Sequence, residues 1–92
     1  MPTAKKVVLV SKGGYRASHD ELLRSLINRK ICLFCALGKD CERWEDVMDE
    51  LAGENGWHVT TTSHPNETAE EVLEFARMFQ LDKPTTVQVI EV

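Results

Sequence analysis

The chain has no apolar run approaching the ~20 residues that a membrane-crossing helix needs. Its first residues, Met1-Pro2-Thr3-Ala4-Lys5-Lys6, lead only into the short run Val7 to Val10, too brief for the apolar region of a secretory leader. A cytoplasmic protein without membrane contact is expected. Basic charge is scarce as well: eleven Lys and Arg stand against fifteen Asp and Glu, a net charge of −4. A mildly acidic chain gains nothing from a phosphate backbone, so nucleic acid is not an expected partner. Lys5, Lys6, Lys12, Arg16 and Arg24 make the first third locally basic, in a pattern that reads as a solvated surface. Cysteine is limited to three residues; an odd number without a leader favours free thiols over a disulfide framework. Internal repeats, low-complexity tracts and linkers are absent, which leaves a single domain expected over residues 1–92.

What is present is an alternation of strand and helix patterns. Apolar or β-branched runs occupy Lys6 to Val10, Ile31 to Leu37, Trp57 to Thr62 and Thr86 to Val92. Leu22, Leu23, Leu26 and Ile27 share a helical face behind Ser18-His19-Asp20-Glu21, which reads as a capping box. Trp44, Val47, Met48, Leu51 and Ala52 form the cleanest stripe, with Asp40 as the expected N-cap and Gly53 just past the helix end. Val72, Phe75, Ala76 and Phe79 follow a second capping box, Thr68-Ala69-Glu70-Glu71, with Asp82-Lys83-Pro84 as the stop. This order predicts an α/β fold, β-α-β-α-β-α-β, with a four-stranded, mostly parallel sheet between helices on both faces, flavodoxin- or Rossmann-like. The first two runs are apolar on both faces and belong at the centre. The Thr-rich third run and the half-polar fourth belong nearer the edges. The expected strand order is 2-1-3-4, with 3-2-1-4 as the alternative.

In either order the three strand-to-helix loops meet at the carboxyl edge of the sheet, where such folds bind ligands. They gather Ser11, Lys12, Gly13 and Gly14; Gly38, Lys39, Asp40 and Cys41; and Thr62, Ser63, His64 and Glu67. Cys41 falls in the first turn of the second helix, where backbone N–H groups favour a thiolate. His64 is the candidate base for that nucleophile, with Asp40 or Glu67 to orient it. The plainer alternative is a small, half-buried cysteine at a helix start. Ser11 to Gly14 offers backbone amides to an anion, with Lys39, Thr62, Ser63 and Glu67 as further ligand-binding candidates. Cys32 and Cys35 have Cys-x-x-Cys spacing but lie within a strand pattern, so they face opposite sides and read as core residues. No paired-ligand spacing among Cys41, His64, Asp40 and Glu67 supports zinc, and no metal or cofactor is expected. Gly38-Lys39 fails as a Walker loop, because Leu33 stands at the earlier glycine position and Asp40 where Ser or Thr is required.

From Cys32 to the end the chain resembles a small bacterial domain family of unknown function. The resemblance rests on Gly38-Lys39-Asp40-Cys41, then Trp44-Glu45-Asp46 and Asp49, then Thr61-Thr62-Ser63-His64 and Glu67, the helix bearing Phe75 and Phe79, and the final run Val87 to Val92. Leu37 and Ser63 replace tryptophans that the family tends to carry before the Gly and before the His. The resemblance implies that Asp40, Cys41, Trp44, Thr62 and His64 belong together in space; it implies no reaction.

These features order three readings. A non-catalytic binding or accessory protein acting through protein contacts, self-association through the last strand or a helix face included, comes first. A small enzyme using Cys41 and His64, and a small-anion sensor at the rim, follow.

Overall fold

The computed structural model describes residues 4–79 and 86–92. Four strands, β1 (Lys6–Ser11), β2 (Leu33–Gly38), β3 (Thr60–His64) and β4 (Val87–Glu91), alternate with three α-helices, α1 (Asp20–Asn28), α2 (Cys41–Glu54) and α3 (Ala69–Met78). A short 3-10 turn, Ala17–His19, leads into α1. All strand pairings are parallel, with Val8 level with Cys35 and Val89, and Cys35 level with Thr62.

The strand order is β3-β2-β1-β4. The expected 2-1-3-4 is therefore corrected to its alternative, 3-2-1-4. Burial explains the choice. Order 2-1-3-4 would put β2 at an edge, yet Leu33 to Leu37 are all buried, which requires a strand on each side and helices on both faces. Thr60 to Ser63 are only half-buried, so β3 takes the edge instead.

Strand alternation divides the core in two. Val7, Leu9, Phe34 and Ala36 pack with Leu23, Leu26, Ile27, Trp44, Met48 and Leu51. Val8, Leu33, Cys35 and Leu37 pack with Val72 and Ala76 on the other face. Helices α1 and α2 thus cover one face and α3 the other. Topology dictates this split. The chain steps from β1 to β2 to β3 in one direction, and crossovers of one hand put both helices on one side. The return from β3 to β4 reverses direction and puts α3 opposite.

Helix ends follow local chemistry, with three departures from expectation. Ser18 does not cap α1; the 3-10 turn intervenes, and Arg16 N–H donates to His19 Nδ1 at 3.1 Å instead. Gly53 lies inside α2, and the left-handed residue that ends this helix is Gly56, φ +66. Trp57 N–H reaches Ala52 O at 3.0 Å and Gly56 N–H reaches Gly53 O at 3.1 Å, the bond pattern of a Schellman end. Asp40 precedes α2 but is left-handed, φ 61, and its side chain does not cap the helix. The capping box at α3 forms as read: Glu71 N–H donates to Thr68 Oγ1 at 3.2 Å, and Thr68 N–H to Glu71 Oε1 at 3.2 Å. The expected stop Asp82-Lys83-Pro84 lies outside the described residues.

The far end of α3 is capped from β1. Lys6 is buried, and its Nζ donates to Ala76 O at 2.8 Å, to Arg77 O at 3.4 Å and to Phe79 O. A cation on the last carbonyls complements the helix dipole and gives a buried ammonium its partners. Among the described residues, no helix is long and apolar enough to cross a membrane.

Candidate functional site

The carboxyl ends of β1 and β2 are tied by their own loops. Lys39 N–H donates to Ser11 O at 2.9 Å. This close approach needs Gly38, φ +90, because a Cβ there would collide with Ser11 O. Ser11 is buried, and its Oγ accepts the Trp44 indole N–H at 3.0 Å. Tyr15 meets Trp44 edge-on at 5.2 Å between ring centroids, and His19 lies against Trp44 at 4.9 Å. Arg43 covers the outer side of Tyr15. The Tyr15 hydroxyl donates to Asp20 Oδ1; burial first, then that bond and the Asp20 charge, push its pKa above the ordinary tyrosine value.

The glycine turn already holds an anion of its own. Asp40 Oδ2 accepts the Tyr15 N–H at 3.1 Å. Gly14, φ +87, leaves the room that this carboxylate fills. Left-handed backbone at Asp40 is what aims its side chain back at the turn rather than at the start of α2. Lys12 turns away and pairs with Glu91 at 3.0 Å.

The end of β3 forms a separate cluster. His64 is 7 % exposed. Its Nδ1 lies 3.0 Å from Glu67 Oε1 and its Nε2 2.8 Å from Thr62 Oγ1. A carboxylate only accepts, so Nδ1 carries the proton, and in the neutral ring Nε2 accepts from the Thr62 hydroxyl. Phe75 of α3 packs on the imidazole, 5.2 Å between centroids. Thr62 is level with Cys35. Burial pushes the Cys35 thiol above its ordinary value, while the Thr62 hydroxyl and the Lys6 ammonium pull it down.

The sheet separates what the converging loops and the resemblance had grouped. Cys41 is 4 % exposed and belongs to the α1–α2 core with Trp44. His64 stands level with Leu37, whose side chain belongs to the α3 core. Asp40, Cys41 and Trp44 therefore serve one face, and Thr62, His64 and Glu67 the other. No hydrogen bond joins Cys41 Sγ to the imidazole, whose ring nitrogens are both engaged. Ser63, on the α2 side, donates to Glu45 Oε1 at 3.2 Å. Loops leave β2 and β3 toward opposite faces and part between the ends of these two strands. A depression of about 480 Å³ lies there, lined by Gly38, Asp40, Cys41, Glu42, Arg43, Asp46 and Pro65. Among the described residues, no group of three or more His, Cys, Asp or Glu is placed to hold a metal ion.

A family model described as a domain of unknown function (DUF7684) matches residues 1–90. The chain belongs to this family. No curated protein and no solved structure matches it. The motif resemblance, to an uncharacterised small domain family, and this match agree.

In this DUF7684 member, sequence reasoning passed over Tyr15, and read Trp44 as a core stripe residue that only the resemblance grouped with the rim. Both close the β1 loop. One signal was available: Ser11 ends an apolar strand, and a buried hydroxyl and a buried indole N–H each require a partner.

Proposed function

We propose that this chain is a non-catalytic binding protein that acts through protein contacts. One observation carries the reading: the rim spends its polar groups on holding its own loops. Ser11 Oγ takes the Trp44 indole, Asp40 takes the Tyr15 amide, and His64 is held between Thr62 and Glu67. A nucleophile and its base need to stand within hydrogen-bond reach of each other and of a substrate. Cys41 and His64, buried on opposite faces, give that arrangement little support. An anion at the rim meets Asp40 in the turn, and the carboxylates of Asp40, Glu42 and Asp46 against the guanidinium of Arg43 in the depression; the negative balance repels it. Apolar groups do remain outside: Phe75, Met78 and Val89 are exposed.

A thermal-shift panel of metabolites and metal ions, run beside thiol labelling of a Cys32→Ser background, tests the reading. The expected result is no stabilising small ligand, with Cys41 protected from alkylation until the protein unfolds. A compound that stabilises the fold by ~2.7 kcal/mol at a hundredfold excess over its Kd, or stoichiometric alkylation of Cys41 in the folded protein, contradicts it.

A further inference from the structure

The outer side of β4 is unused by anything described so far. Lys12 N–H donates to Val92 O at 2.8 Å, and Val92 N–H to Val10 O at 3.0 Å, so the backbone of Val92 faces β1. In a parallel ladder one residue's N–H and C=O point to one neighbour and the next residue's point away. Gln88 and Ile90 therefore face β1 as Val92 does, while Val87, Val89 and Glu91 turn their backbone groups outward. No hydrogen bond from a described residue reaches those outward groups. Proteins blunt such edges with lysine, proline, bulges or covering loops. The run Val87-Gln88-Val89-Ile90 carries neither lysine nor proline, and Val89 is 46 % exposed.

We propose that β4 pairs antiparallel with β4 of a second copy of this chain, about a two-fold axis at Val89, so that one sheet runs through both copies. The proposal rests on the reading that the protein acts through protein contacts, and names the surface and the partner. In this register Val89 faces Val89 of the second copy, and Val87 faces Glu91 in both directions. All of these residues have outward groups, so each facing pair exchanges both of its N–H···O bonds.

Charge selects the chain itself as occupant. Val87, Val89 and Glu91 are level with Lys6, Val8 and Val10, on the face that α3 covers. A groove of about 470 Å³ lies beside them, lined by Leu73, Arg77 and Thr86 together with Val87 and Val89. Residues facing each other across a sheet share a face. The second copy's Glu91, opposite Val87, is thus brought beside Arg77, and the axis repeats the pair at the other end. Present partners yield easily: Lys12–Glu91 joins side chains 72 % and 62 % exposed, and Arg77–Glu74 spans 4.0 Å. Exposed ion pairs of this kind hold their partners weakly. An unrelated strand would have to bring a carboxylate at the same distance from its centre; β4 does so by symmetry.

Sedimentation velocity of the full chain over a wide concentration range tests this, with Val89→Lys, Arg77→Glu, Glu91→Arg and the double variant Arg77→Glu/Glu91→Arg. The wild type is expected to sediment as a dimer, and Val89→Lys as a monomer with unchanged far-ultraviolet dichroism. Each single charge reversal is expected to weaken the dimer about tenfold or more, and the double variant to restore it. The two charge variants lie on the surface and report even where Val89→Lys fails to fold. A wild type that stays monomeric throughout, a dimer untouched by Val89→Lys, or a double variant weaker than either single one overturns the proposal. A monomer without a small ligand sinks this pairing alone, whereas a small ligand found at the rim sinks the broader reading whatever the particle mass.

Discussion

Two glycines of the same chemical kind have opposite roles. Gly38, φ +90, lets the β2 loop lie against Ser11 O, which is fixed because it accepts Lys39 N–H. Gly53 lies inside α2 with nothing near its missing side chain. Gly38→Ala is expected to cost about 2–4 kcal/mol, through left-handed strain and collision with backbone. Gly53→Ala is expected to add about 0.5–1 kcal/mol by restricting the unfolded chain and favouring helix; urea denaturation measures both. Cys35 supplies a pH signature. Burial raises its thiol above the ordinary 9.0, with Thr62 and Lys6 opposing, so the folded state holds the proton longer than the unfolded chain does. This contribution is fully present below the unfolded pKa and is lost as pH rises through the folded one. Tyr15, raised above 10.0 by burial and by Asp20, extends the loss further into alkali. The urea midpoint should hold at neutral pH and fall as pH rises through and beyond 9, and Cys35→Ala should lack the early part of that fall. Residues were legible in unequal measure. Asp40 stood out by type and position, but its left-handed backbone is set by the packing of two loops, which local sequence does not encode.

Elements were legible where periodicity is strong. The stripe Trp44, Val47, Met48, Leu51, Ala52 located α2, and the Thr68–Glu71 box fixed the start of α3. Ends were less so. Gly53 and Gly56 look alike as helix stops, and only the bonds closing back on Ala52 and Gly53 distinguish them. The C-terminal cap of α3 was invisible locally, because its donor, Lys6, comes from β1. Lys6→Met should therefore loosen α3 in particular. Amide exchange is expected to accelerate across Val72 to Phe79 before other segments, with a global loss of about 1–3 kcal/mol. Uniform acceleration over the whole sheet would contradict a capping role for Lys6.

At the scale of the molecule, the parallel sheet with helices on both faces follows from the alternation of patterns, and the four strands are all parallel. The expected strand order, 2-1-3-4, was the wrong one of two that obey the same crossover rule; complete burial of Leu33 to Leu37 decides for the alternative, 3-2-1-4. That order also governs the candidate site. With α2 and α3 on opposite faces, Cys41 and His64 leave the same end of the sheet and turn away from each other. A pair of chemistry-bearing residues was thus readable from sequence, while the face each would serve was not, since that depends on the direction in which later strands are added. The same order leaves β4 at an edge, with outward backbone groups that no described residue pairs and an exposed valine.

The claim joining these scales is that the working surface is the β4 edge and not the carboxyl rim. Residue-resolved amide exchange followed against protein concentration tests it most directly. The account predicts that the outward amides of Val87, Val89 and Glu91 become protected as concentration rises, approaching the inward amides of Gln88 and Ile90. Exchange at the rate of free backbone for all three outward amides at every concentration would contradict it.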